Sequence, residues 1–237
     1  MAKYYFFGFF LLISSCSPPS QDADFKLFIK SFHQSKWKHF PLWAVKAGHK
    51  QFDKLLPIPN REKHSSNLQF CKKYHDTLQT FDPGRLSVPL QFEYNKIKPF
   101  LSKYIHDFEN LKVYETDPTY YDLRNIFTVN GKNSSPEEVK ILESRLKIIP
   151  TYYAAAKQNL KSPDQQKLQE SIQQQIQFYS ILDQLSADKD LIFMAKLSVK
   201  DFIAFCKSEA FESYELTLRA TPSDSLDDAK KNQTVGK

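Results

Sequence analysis

Apolar residues recur at three- and four-residue spacing along most of this chain, the period of an α-helix with one buried face. From Asp24 to about Phe40 the face is Phe25, Phe28, Ile29 and Phe32. Leu42 to Val45 continue a helical or turn segment up to Gly48, and the stretch from Gly48 to Asn60, with its two late prolines, reads as an irregular connector. Asn60 to Phe81 carries Leu68, Cys71, Tyr74, His75 and Leu78 at helical intervals, and DPGR (Asp82–Arg85) stops it by turn chemistry. The rhythm then runs from Val88 to Tyr114 through Ile97, Phe100, Leu101, Tyr104, Ile105, Phe108 and Leu111. Pro99 is the place for a kink in that helix.

The pattern loosens between Glu115 and Asn133, where DPTYYDL suggests a short helical turn and VNGKN (Val129–Asn133) a loop. SSPEEVKIL then gives the sharpest boundary in the sequence. Ser135 suits the N-cap, Pro136 the first helical position, and Glu138 completes a capping box. This helix is expected to reach about Leu160 with an interruption at Pro150. KSPD (Lys161–Asp164) closes it and opens the next. The glutamines of Gln165–Leu185 do not make a low-complexity tract, because Leu168, Ile172, Ile176, Tyr179 and Leu182 share one face. Asp190 to Leu218 supplies one or two further helices, and residues 219–237 are polar enough to predict a disordered tail. No alternating strand pattern and no repeat is seen. The expectation is an all-α, antiparallel multi-helix array forming a single domain over residues 24–218.

The first residues do not belong to that domain. The apolar run Tyr4–Ile13 is too short to cross a bilayer, which takes about 20 apolar residues. Lys3 ahead of it and small residues after it give the order of a secretory signal. Ile13-Ser14-Ser15-Cys16 resembles the lipobox of bacterial lipoproteins. That resemblance implies diacylglycerol transfer to the Cys16 thiol, removal of residues 1–15 and acylation, of the palmitate type, of the new amino terminus. Residues 16–23 would then be a tether, for which SPPSQDAD has the right proline-rich, polar composition. The expected location is the bacterial cell envelope. The protein would be exported and held to the inner or outer membrane by lipid on Cys16, because several acyl chains anchor durably where one is marginal.

Composition narrows the picture. Apolar residues make up 41%, with 20 Phe and 12 Tyr, enough for a packed core, while only 5 Gly disfavour a glycine-rich phosphate loop. The formal charge of +6 falls to +5 once Lys3 leaves with the signal. Its lysines are dispersed among acids and the chain is exported, so nucleic acid is excluded as a partner. With Cys16 acylated, Cys71 and Cys206 remain. They either pair in an oxidising compartment or stand as two separate buried thiols.

No catalytic motif stands out. None of the six histidines has HExxH spacing, no GxSxG turn occurs, and no cofactor or metal motif is present. Trp37, Phe40 and Trp43 cluster with Lys36, Lys38 and His39. Trp37 and Trp43 therefore form either part of the core or a patch for a ligand or the membrane surface.

Four segments together resemble a known family: AGHKQFDKLLPIPN, RLSVPLQFEYNKIKPFL, YETDPTYYDL and ESRLKIIPTYYAAAKQNLKSP. In this order they are similar to the amino-terminal half of the bacterial "domain of unknown function 885" family, over about Asp24 to Glu209. Family members are more than twice as long, and their second half carries a His-Glu-x-x-Pro-Gly-His motif like that of zinc peptidases. No position here matches it, so no catalytic or metal-binding residue carries over. The resemblance implies a helical fold and an envelope location. Two functions follow as expectations. One is a non-catalytic envelope protein that binds a protein partner or envelope ligand. The other is the helical half of a split enzyme whose catalytic half is a separate chain.

Overall fold

Gln21 and Asp22 tie the start of the fold to the turn before its fourth helix. The Gln21 N–H donates to the Arg85 carbonyl (3.2 Å), its side chain accepts the Asp82 N–H (2.8 Å), and the Asp22 carboxylate accepts the Ser87 N–H (2.9 Å). Helix α1 therefore begins at Asp22 rather than Asp24 and runs to His39. The structure, a computed structural model, describes residues 20–127 and 134–220, with side chains as far as 210. The signal, the lipidation cysteine and most of the polar tail thus lie outside the described residues, as does the loop Val129–Asn133.

All regular structure among the described residues is helical, and the all-α expectation holds. After α1 come α2 (Pro41–Lys46), α3 (Arg61–Gln79) and α4 (Val88–Ile105). α2 stops because Gly48 takes φ +86°, which closes a Schellman cap: the His49 N–H reaches the Ala44 carbonyl and the Gly48 N–H that of Val45, both at 2.9 Å. Asn60 caps α3 by accepting the Lys63 N–H (2.9 Å). Pro99 lies inside α4 without ending it.

The predicted helix to Tyr114 does not survive. A π-helical turn (His106–Asn110) follows α4, Lys112 adopts the left-handed conformation at φ 49°, and a short α5 (Val113–Thr116) starts in a new direction. The reason is tertiary. The turn leaves Phe108 buried with its ring stacked on Tyr104 (4.1 Å), and the reversal brings Tyr114 onto the ring of His64 (4.6 Å). The DPTYYDL stretch forms the expected turn, a 3-10 segment Pro118–Tyr121 capped by Asp117.

α6 (Pro136–Leu146) begins with the predicted capping box. It breaks at Lys147–Ile148, and α7 (Ile149–Asn159) restarts with Pro150 in its first turn, where the missing N–H costs nothing. α8 (Gln165–Leu182) is capped by Asp164, and α9 (Lys189–Ala220) is one helix.

These helices gather two apolar clusters. Phe25, Phe28 and Phe32 of α1 meet Cys71, Tyr74 and Leu78 of α3 and Ile97 and Leu101 of α4. In the second cluster, Leu146, Ile149 and Tyr153 meet Leu168, Phe178, Val199, Phe202 and Cys206. Cys71 and Cys206 lie in different clusters and are free, so the disulfide alternative is not realised. Burial pushes both thiols up to about 12, away from thiolate chemistry. Residues 113–121 stitch the clusters together. The Lys161 and Asp164 N–H groups donate to the carbonyls of Glu115 and Thr116, and the Ser171 hydroxyl to that of Pro118.

Candidate functional site

A cavity of about 420 Å³ opens where the two clusters meet. Pro57, Ile58 and Pro59 form one edge, α2 and α4 contribute Trp43, Phe100 and Tyr104, and the 3-10 turn and α7 contribute Tyr120 and Tyr152. Most of the wall is aromatic or aliphatic. That size and character match sites for small organic ligands, which typically have about 300–1,000 Å³. Tyr120 keeps 37% of its surface because part of its ring faces this space.

Three polar groups of the wall, Lys63, His64 and Asn67, come from the start of α3. Positions 71, 74 and 78 make the buried stripe of that helix, and the same stripe traced backwards reaches Asn67 and His64. Both are buried, at 6% and 5% exposure. His64 Nε2 lies 3.0 Å from the Pro59 carbonyl and so carries the proton, while its Nδ1 is buried without a partner. Burial pushes the imidazole down to about 4, against the opposing effect of the Pro59 bond. Asn159 also donates to that carbonyl. The Asn67 carbonyl oxygen lies 3.2 Å from His39 Nδ1, and the His39 ring stacks on Phe70 at 4.4 Å. Burial lowers the His39 pKa, and the charge of Lys63 lowers it further, while the Asn67 bond acts in the opposite sense. The Tyr104 hydroxyl is buried and makes no hydrogen bond of good geometry.

Charges in the wall are unequally matched. Lys103 pairs with Asp107 one helical turn away (2.5 Å). Asp122 receives the Arg124 guanidinium through its Nε and Nη2 (3.0–3.1 Å). Lys63 is half-buried with no carboxylate in ion-pair range among the described residues, and burial alone lowers its pKa.

Of the two tryptophans singled out in the sequence, Trp43 reaches the cavity and Trp37 does not. They flank Lys36, whose ammonium sits 4.9 Å from the Trp37 ring, 5.5 Å from Trp43 and 5.0 Å from Phe100. The aromatic patch thus already holds a cation of this chain. Among the described residues no group of three or more His, Cys, Asp or Glu side chains could hold a metal ion, and no helix is long and apolar enough to cross a membrane. Lys63, His64 and Asn67 went unnoticed in the sequence. For His64 and Asn67 the signal was the continuation of an apolar stripe into polar residues; Lys63 lies off that stripe and had none.

No protein-family model matches the chain, and no curated protein is similar to it. The comparisons do not bear out a specific likeness to the domain of unknown function 885 family. Among solved structures, the fold is similar to that of a protein from Shewanella oneidensis described as "a putative lipoprotein of unknown function" (TM-score 0.65, 20% identity). The match covers 81% of this chain and 38% of that one, so the chain spans well under half the length of its structural relative. At this identity the likeness establishes the helical fold.

Proposed function

We propose that this is an exported envelope protein, anchored by lipid on Cys16, that acts without catalysis by binding a small ligand in the cavity between its two clusters. The observation that carries the reading is the cavity, apolar over most of its wall and supplied with a few polar groups. The lipobox-like Ile13–Cys16 and the lipoprotein description of the structural relative support the location. The test uses the chain from Ser17 onward, which contains every described residue and both clusters. Replacing Trp37 with Phe leaves Trp43, on the cavity wall, as the sole tryptophan. Octan-1-ol, an uncharged probe that fits the apolar wall, should shift Trp43 emission saturably with one-site behaviour. A response that rises linearly without saturation would overturn the reading.

A second reading, the helical half of a split zinc-peptidase-like enzyme, is favoured by one surface. Phe193, Met194 and Leu197 of α9 are 47–65% exposed and adjacent, in a chain that spans 38% of a longer structural relative. Co-purification with a separate chain carrying the His-Glu-x-x-Pro-Gly-His motif would favour it. Recovery of the protein alone from detergent-solubilised envelopes would count against it.

A further inference from the structure

Resting on the binding reading, we infer that the cavity takes a small amphipathic carboxylate, its charge held at the Lys63 end and its apolar body along the aromatic wall. The acids and bases that face the space are His39, Lys63, His64, Lys103, Asp107 and Asp122. Asp107 is neutralised by Lys103 and Asp122 by Arg124, and both histidines are held neutral near pH 7 by burial. What remains is one positive charge, the Lys63 ammonium, half-buried and with no carboxylate in range among the described residues. Such a charge has lost part of its hydration without gaining a partner, so an anion arriving there restores what burial removed.

The neighbours of Lys63 complete the end wall. Asn67 is buried with its carbonyl oxygen 3.2 Å from His39 Nδ1, and Lys63 is the charged donor beside it. His64 adds nothing to anion binding, because a carboxylate has no proton to donate to its free ring nitrogen. Its Nδ1 is a buried acceptor without a donor, so the attraction for a carboxylate rests on Lys63. The rest of the surface offers Trp43, Phe100, Tyr120 and Tyr152 to a hydrocarbon or aromatic body. A volume of about 420 Å³ suits one short chain or ring system rather than a diacyl lipid.

Octanoate and octan-1-ol have the same chain and differ in the charge of the head. Titrated at pH 7.5 against the Trp37→Phe protein and read by Trp43 emission, octanoate should bind at least about tenfold more tightly than octan-1-ol, the scale expected of one charge-assisted hydrogen bond. Lys63→Met should remove that preference, read as the ratio of octanoate to octan-1-ol affinity within the variant. Lys96→Met, at an exposed lysine paired with Glu93 away from the cavity wall, should keep the preference. If Lys63→Met does not fold, Lys63→Gln reads the same comparison. Equal affinities for acid and alcohol, or a preference that survives loss of Lys63, would overturn the anion inference and leave the binding reading standing. No saturable response to either probe would overturn the binding reading itself.

Discussion

His64 shows how one residue couples the packing of this protein to pH. It is buried, bonded through Nε2 to the Pro59 carbonyl and stacked on Tyr114, and its pKa falls from the ordinary 6.5 to about 4. Below pH 6.5 the unfolded chain takes up the proton while the folded one refuses it. Stability contributed by this group is therefore complete above pH 6.5 and is lost as pH falls toward 4. The shift corresponds to roughly 3 kcal/mol at most. His33 and His39, lowered by burial too, act in the same direction. Urea unfolding at pH 7.5 and pH 4.5 should show a clear loss at the lower pH, and His64→Gln should flatten that dependence. A variant as pH-sensitive as the wild type would assign the effect elsewhere. Nothing in the sequence marked His64 as different from the five other histidines except its place on the stripe of Cys71, Tyr74 and Leu78. Lys63 had no mark at all, because the lack of a carboxylate near it depends on segments far away in the chain.

At the scale of elements, local chemistry was legible wherever it is local. The capping box at Ser135 is formed in both directions, the Glu138 N–H reaching Ser135 Oγ (3.3 Å) and the Ser135 N–H reaching the Glu138 carboxylate (2.7 Å). Ser135→Ala should destabilise the protein by about 1 kcal/mol, as loss of an N-cap usually does. Ser135→Asp should retain most of it. The midpoint of urea unfolding measures both, and an unchanged Ala midpoint would show that α6 is held by Leu142 and Leu146 alone. The break after α4 was not legible. Leu111 continues the apolar rhythm in the sequence, yet it is 51% exposed, because the chain turns at Lys112 to place Tyr114 on His64. A periodic pattern reports which residues can face a core. It does not report where the core ends.

For the whole molecule, the proposed lipid anchor on Cys16 and the cavity would act together. The tether would hold the helical body at a membrane, and the cavity would meet small amphiphiles there. Replacing Cys16 with Ala should abolish fatty-acid labelling of the chain. Undiminished labelling would place the modification on another residue or remove the anchor from the account. The helical class, the single domain and the helix starts at Asn60, Ser135 and Asp164 follow from the sequence alone, because the 3.6-residue period and capping are set by neighbours within a few positions. The separation of Cys71 from Cys206, the reversal at Lys112, the cavity and the unpaired charge of Lys63 were decided only by tertiary structure. Each depends on which distant segments lie side by side, and long-range packing leaves no periodic trace in the chain.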